Sequence, residues 1–276
     1  MLAESPIPPI INPFLLSLIH LVDRLEVMSD KKTTPLKKPS IEGHHCTVDL
    51  RLEKLGMVPF FQKLTEDELR TVNKKFTANH YPKGETIYRQ GDRATMLRVV
   101  VAGNVKLISH TPDGKDVLLD MLKAGEFFGN PTAGSRDVYN ETATTQTKAC
   151  ILSIRLSDFR DIMNEYSSVA MSVLDITIDR LNESQKRIQH LSTLAVKKRV
   201  AAVLLKLADK FGEEDESGRL IQLPLSRKDL ADMTGTSTAT ASRIMSQFQE
   251  DGLITSGRQW VAINDRPELI RISAHS

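Results

Sequence analysis

The sequence predicts an α+β fold in three parts: an N-terminal double-stranded β-helix of jelly-roll type, a long helix suited to dimerisation, and a C-terminal winged helix-turn-helix. Three observations predict it. Between Phe76 and Ile154, short runs rich in Val, Ile, Tyr and Thr are punctuated by Gly84, Gly91, Gly103, Gly114, Gly125 and Gly129, the turn spacing of an all-β sandwich or roll. From Ser157 to about Leu194 the period becomes helical and carries an apolar seam. Leu225 to Ile254 then reads as helix, tight turn, helix, and a hairpin follows. The expected divisions are a tail over 1–48, the roll with its helical lead-in over 49–156, the dimerisation helix over 157–194 and the helix-turn-helix unit over 195–276.

The lead-in runs from Leu50 to Val72, an amphipathic helical stretch broken at Pro59 and restarted at Thr65, where Glu68 three residues on completes a capping box. Within the roll, Leu97–Val101 and Val105–Ser109 flank Ala-Gly-Asn and form a candidate hairpin; Asp113-Gly114 marks a second. In the long helix Met171, Ile178 and Gln185 share one heptad position and Leu174, Leu181 and Ile188 the other. Such a seam serves either a two-fold coiled-coil interface or a helix lying on its own β-roll. After Ala195 come a helix, an acidic turn at Glu213–Glu216, an extended run from Leu220 to Leu225, two compact helices, and a closing hairpin of Leu253–Thr255 and Trp260–Ile263 with its turn at Ser256-Gly257.

Composition bounds the partners. With 40% hydrophobic and 26% charged residues, the 276-residue chain is an ordinary globular protein of one large or two ordinary domains. The net charge of +2 does not announce nucleic acid. From Ala195 onward 12 Lys and Arg face 11 Asp and Glu, so any DNA-facing surface has to be local. Cys46 and Cys150 lie far apart in sequence and form neither a disulfide framework nor a C-x-x-C pair, as a reducing cytosol predicts. Cys150, ending a β-run, reads as a small buried hydrophobe in preference to a redox switch. The apolar stretch Pro9–Val22 is shorter than the roughly 18 residues of a membrane helix and lacks the basic start of a signal peptide. A cytoplasmic protein with no membrane partner is expected. Residues 1 to about 48 read as a Pro- and Lys-rich tail, and Met28, opening a polar stretch, predicts a translation start there.

The chemistry concentrates in LSRKDLADMTGTSTATASRIMSQFQEDGLI, residues 225–254. Ser226 caps a first helix with Asp229 at its third position, Gly235 supplies the turn, and Ser237 caps a second helix ending at Gly252. On that second helix Ala241, Ile244, Met245 and Phe248 share a face that has to be buried. The opposite face carries Ala239, Ser242, Arg243 and Ser246, with Thr238 beside them. Small and hydroxylic residues let the backbone approach closely, and Arg243 alone reaches far out. This suits a major groove, where Arg pairs with guanine and small groups meet a thymine methyl or a phosphate. Arg227, Lys228 and Arg258 are candidate phosphate contacts.

Residues 80–276 resemble the Crp/Fnr family of bacterial regulators in three blocks in the right order: YPKGETIYRQGDRATMLRVVVAGNVKLISHTPDGKDVLLDMLKAGEFFG, the long helix running into KKRVAAVLLKLA, and SRKDLADMTGTSTATASRIMSQFQEDGLI. The resemblance implies a sensor roll of cyclic-nucleotide-binding type, a homodimer, a palindromic operator in double-stranded DNA, RNA polymerase as a partner, and no catalysis. In the family the recognition helix presents an Arg or Val, then a Glu, then an Arg four residues later. Here Thr238 and Ala239 fill the first two places and only Arg243 remains, while Ser242 is similar to the Fnr branch. The resemblance therefore implies that Arg243 reads a guanine in an operator of altered sequence.

The sensor departs further. Members that respond to cyclic AMP use Gly-Glu-x-x-Gly-Glu and an Arg-Ser pair; this chain has Gly125-Glu126-Phe127-Phe128-Gly129-Asn130 and Glu141-Thr142. Glu141 would repel the cyclic phosphate, so cyclic AMP is not expected to bind in the usual manner. Two cysteines do not supply the four ligands of an Fnr-type iron-sulfur cluster. The effector pocket is expected around Gly125, Glu126, Phe127, Gly129, Asn130, Glu141, Thr142 and Thr145, for an unidentified small molecule. Two alternatives stand beside this reading: a haem- or metal-dependent redox or gas sensor using His44-His45-Cys46, and a β-roll regulatory protein acting on a protein partner. The sequence assigns no metal ligand set, since adjacent residues rarely converge on one ion.

Overall fold

The computed structural model describes residues 46–131, 137–215 and 218–274. Met28, Pro9–Val22, His44 and His45 lie outside them. The lead-in begins with α1 (Val48–Met57), whose N-cap Thr47 accepts from the Leu50 amide. A 3-10 turn at Pro59–Phe61 follows, where proline stops α1, and then α2 (Glu66–Asn73), with the Thr65–Glu68 capping box formed in both directions. Leu55, Phe60 and Phe61 are buried from this side in the same core as the roll.

The roll comprises β1 (Thr77–Tyr81), β2 (Thr86–Tyr88), β3 (Met96–Ala102), β4 (Val105–His110), β5 (Asp116–Leu122), β6 (Phe127–Phe128), β7 (Thr142–Thr145) and β8 (Ala149–Arg155). They form two four-stranded sheets in the orders β1-β8-β3-β6 and β2-β7-β4-β5. The Asp113-Gly114 hairpin joins β4 to β5 as expected. The other expected hairpin is not one. β3 pairs with β8 and β6, while β4 pairs with β5 and β7, so Ala102-Gly103-Asn104 carries the chain from one sheet to the other. Both strands are apolar enough to face a core, and each finds neighbours in its own sheet. Gly103 sits at φ +82°, where a Cβ would collide with the backbone of Lys148.

The expectation that the two cysteines stay apart is overturned. Cys46 and Cys150 form a disulfide, with Cα atoms 6.6 Å apart. Their separation of 104 residues in sequence is erased because α1 packs across the roll, setting the residue before it beside β8.

Two helices, α3 (Leu156–Glu165) and α4 (Ser167–Thr193), replace the single expected one; the break is at Tyr166, whose extended backbone (φ −116°, ψ 93°) lets α3 fold back on the roll. The last unit holds α5 (Val196–Phe211), β9 (Gly212–Asp215), β10 (Gly218–Ile221), α6 (Arg227–Thr234), α7 (Thr238–Glu250), β11 (Ile254–Gly257), β12 (Trp260–Ile263) and α8 (Arg266–Ser273). Its sheet runs β11-β12-β10-β9. The acidic run is thus a strand as far as Asp215, paired with β10, where Arg219 sits opposite Glu214 and bonds it at 2.7 Å. The extended run pairs only as far as Ile221. The final hairpin turns at Arg258-Gln259, Gln259 taking φ +69°. It does not close the chain: α8 follows, capped by Asp265, with Pro267 in its first turn.

The helix-turn-helix unit is docked on the roll. Leu118 and Met121 of β5 are buried in the same cluster as Leu230, Met245 and Phe248. Lys106 of β4 meets Asp229 of α6 at 2.6 Å, both largely buried, Gln146 donates to the Pro224 carbonyl, and Lys210 lies 3.0 Å from Glu126.

Candidate nucleic-acid interface and effector cavity

The helix-turn-helix is held by the devices its sequence advertises. Ser226 accepts from the Asp229 amide and Asp229 returns a bond to the Ser226 amide, so two donors that α6 would leave unsatisfied are paired. Gly235 is left-handed (φ 60°, ψ 48°), and a Cβ there would come within 3.2 Å of Leu191 of α4. Arg199 of α5 locks the corner, donating to the carbonyls of Thr234 and Leu194, each at 2.8 Å. Ser237 caps α7 through the Thr240 amide.

On α7, Ala241, Met245 and Phe248 are fully buried and Ile244 partly so. Ser237, Thr238, Ala239, Arg243 and Ser246 are exposed and Ser242 half-buried. Arg243 is the sole basic residue on the helix. Arg258 is exposed at the tip of the wing. The other two candidate phosphate contacts are engaged. Arg227 donates to Ser256 of the wing at 3.1 Å, and burial lowers its pKa. Lys228 pairs with Asp232 at 2.7 Å and with Asp116 of the roll at 3.2 Å, so the pKa of its ammonium is raised, chiefly by the hydrogen bond to Asp232.

A cavity of about 270 Å³ opens between the roll and α4. Of the expected pocket residues, Phe127, Gly129, Asn130 and Glu141 line it. Gly125, Glu126, Thr142 and Thr145 do not. The Glu126 carboxylate turns to the Lys123 amide and to Lys210. The Thr142 hydroxyl accepts from the Gln90 amide, and Thr145 donates to the Pro82 carbonyl, so both hydroxyls hold the β2 edge of the roll. Glu141 accepts from the Tyr88 hydroxyl at 2.7 Å. Burial first, and then the Glu141 charge, push the Tyr88 phenol pKa strongly upward, fixing it as a donor. Tyr88 stacks on Tyr139 at 3.7 Å, and Arg98 lies over both rings.

Sequence reasoning missed the other wall. Val173, Ile176, Thr177 and Arg180 of α4 face the cavity, with Phe60 from the lead-in. Arg180 lies over the Phe127 ring at 4.1 Å and donates to the Phe127 carbonyl. Spacings of three and four from Val173 to Arg180 mark a second face of the helix, a signal the heptad seam overshadowed. The seam itself is bare: Met171, Leu174, Ile178, Leu181 and Ile188 are each about half exposed or more, and Gln185 is exposed beside them. Among the described residues no three His, Cys, Asp or Glu side chains gather as a metal site, and no helix is long and apolar enough to cross a membrane.

Comparison with known proteins decides the family. Residues 78–166 match the cyclic nucleotide-binding domain family and residues 198–272 the Crp-like helix-turn-helix domain, in that order. The chain belongs to the Crp/Fnr family. It is a Crp/Fnr-type transcription regulator whose DNA-binding unit is the helix-turn-helix, and its relatives are regulators, not enzymes. A CRP-like cAMP-activated global transcriptional regulator of Mycobacterium tuberculosis is 24% identical over 79% of this chain and 98% of its own length. The transcriptional activator protein FnrL of Cereibacter sphaeroides is 27% identical over 74% and 83%. The solved structure of FixK2 from Bradyrhizobium japonicum shares the fold, with a TM-score of 0.66 at 23% identity over 73% of this chain and 98% of that one.

Proposed function

We propose that this Crp/Fnr-family chain acts as a homodimer, zipped along the exposed seam of α4, and binds a palindromic operator with one α7 in the major groove of each half-site. The observation that carries this reading is the exposed face of α7, small and hydroxylic around the single long cation Arg243. Arg243 reads a guanine, Thr238, Ala239, Ser242 and Ser246 lie against the bases, and Ser237 and Arg258 face the phosphates, joined by Arg227 and Lys228 once these leave Ser256 and Asp116. Loss of the family's Glu removes a carboxylate acceptor for cytosine N4, so the half-site differs from the usual one. The dimer works in the cytoplasm and passes its signal to RNA polymerase.

The cavity between the roll and α4 takes a small-molecule effector. Cyclic AMP is disfavoured because Glu141 stands where the family's phosphate-binding Arg would, held there by Tyr88, while the one Arg of the wall, Arg180, is engaged with the ring and carbonyl of Phe127. A ligand touching Val173, Ile176 and Arg180 acts on the helix that spaces the two reading heads. Half-sites lie about 34 Å apart, so a small change in that spacing decides binding.

Selection of genomic fragments by the purified, ligand-free protein tests the reading. A palindromic motif is expected, and Arg243→Ala should cost about 1–3 kcal/mol and relax one base position. Substituting Arg258 should weaken all sequences about equally and flatten the salt dependence. Selection that is indifferent to Arg243 would overturn the assignment of α7.

A further inference from the structure

The two cysteines are the only ones in the chain, and the fold joins them. Their bond is placed where it couples elements. Cys46 precedes Thr47, the N-cap of α1, and Cys150 lies in β8, opposite His80 of β1 and Ala102 of β3. The disulfide therefore ties the start of the lead-in to an inner strand of the β1-β8-β3-β6 sheet. The turn that follows α1 supplies Phe60, which lines the cavity with Val173 and Ile176 of α4, and Phe61, which packs edge-on against Phe159 of α3. The segment so tethered is thus also a wall of the effector cavity.

Disulfides inside a reducing cytosol, where they occur, are usually transient and redox-sensing, not structural. We propose that Cys46–Cys150 is a thiol–disulfide exchange site, through which the cellular dithiol pool sets the docking of α1 and the Pro59–Phe61 turn on the roll. The setting in a cytosol rests on the regulator reading above; the exchange chemistry and the docking do not. The two sulfurs are not equivalent. Cys46 is partly exposed, whereas Cys150 is 2% exposed. A small thiolate of the glutathione class attacks the Cys46 sulfur, forming a mixed disulfide and releasing Cys150 as a thiolate that takes up a proton. A second thiol then attacks the mixed disulfide, leaving the Cys46 thiol and an oxidised small disulfide. Two electrons and two protons pass to the protein. The apolar surroundings of Cys150 disfavour its thiolate and slow the exchange without preventing it. Reoxidation by the oxidised small disulfide runs the same steps in reverse.

The test uses the full chain equilibrated across ratios of reduced to oxidised glutathione. Alkylation of free thiols, read by mass, gives the oxidation state; amide hydrogen exchange over 48–61 gives the docking. The expected result is no alkylated cysteine at the oxidising end, two at the reducing end, and at least tenfold faster exchange in α1 when reduced. Cys46→Ser, which leaves buried Cys150 in place, should reproduce the reduced pattern at every ratio. A pair that stays reduced under oxidised glutathione, a bond that survives millimolar reduced glutathione, or α1 protection that is the same in both states and in Cys46→Ser would each overturn the proposal. None of these readouts involves DNA, so the regulator reading can fail on its own.

Discussion

Asp229 does two jobs with one carboxylate. One oxygen closes the capping box with Ser226, and the other meets Lys106 across the boundary with the roll at 2.6 Å. Removing one partner of a largely buried pair strands the other, a loss of roughly 3–5 kcal/mol, whereas losing a cap alone costs about 1 kcal/mol. Asp229→Ala should therefore lower stability in urea by clearly more than Ser226→Ala, and the excess should vanish in a Lys106→Met background. Phe248 is fully buried between α7 and its neighbours. Phe248→Ala should cost about 3–5 kcal/mol in the same assay. At this scale the sequence was informative about the caps and the turn, because Ser226, Asp229, Gly235 and Ser237 act on their immediate neighbours. It was not informative about Lys106, whose partner lies 123 residues away.

Among elements, α4 carries the sharpest expectation. One face is packed on the roll through Val169, another looks into the cavity through Val173, Ile176 and Arg180, and the third shows Leu174, Ile178 and Leu181 to solvent. Bare large apolar residues in a continuous stripe mark a surface meant to be covered. A charge set in that stripe would be desolvated in a coiled coil, so Leu181→Glu should weaken self-association at least tenfold in sedimentation equilibrium, with little change in the helical signal. If the protein sediments as a monomer at all concentrations, the seam has another partner. The seam could be read in advance because its period is local. The division of α3 from α4 could not, since Tyr166 bends the chain to suit a surface the sequence does not display.

For the whole molecule, the docking of the helix-turn-helix on the roll makes a pH-sensitive boundary. The Asp116 carboxyl is held below the ordinary carboxylate range, first by its hydrogen bond with His110 and then by Lys228. A depressed folded pKa means the contribution is present above the unfolded value, near 3.9, and is lost as pH falls through the folded one. Limited proteolysis at the α4–α5 junction, Leu194-Ala195, should therefore accelerate modestly below about pH 4, and Asp116→Asn should give a similar modest increase at neutral pH. The same substitution frees Lys228 from its bond to the roll, so ligand-free DNA affinity should rise in Asp116→Asn and become more dependent on salt.

What the sequence determined by itself was whatever depends on near neighbours. This covers the caps and left-handed glycine of the helix-turn-helix, the buried and exposed faces of α7, the Asp113-Gly114 hairpin and the seam of α4, all written in spacings of two to seven residues. The tertiary structure alone decided which strands pair, which face of α4 closes the cavity, that Thr142 and Thr145 brace a sheet edge and leave the pocket to others, and that two cysteines 104 residues apart meet. The physical reason is one of range. Local hydrogen-bonding and periodicity constrain a few residues at a time, while closing a long loop is decided by the burial that the whole chain gains when its sheets and helices come together.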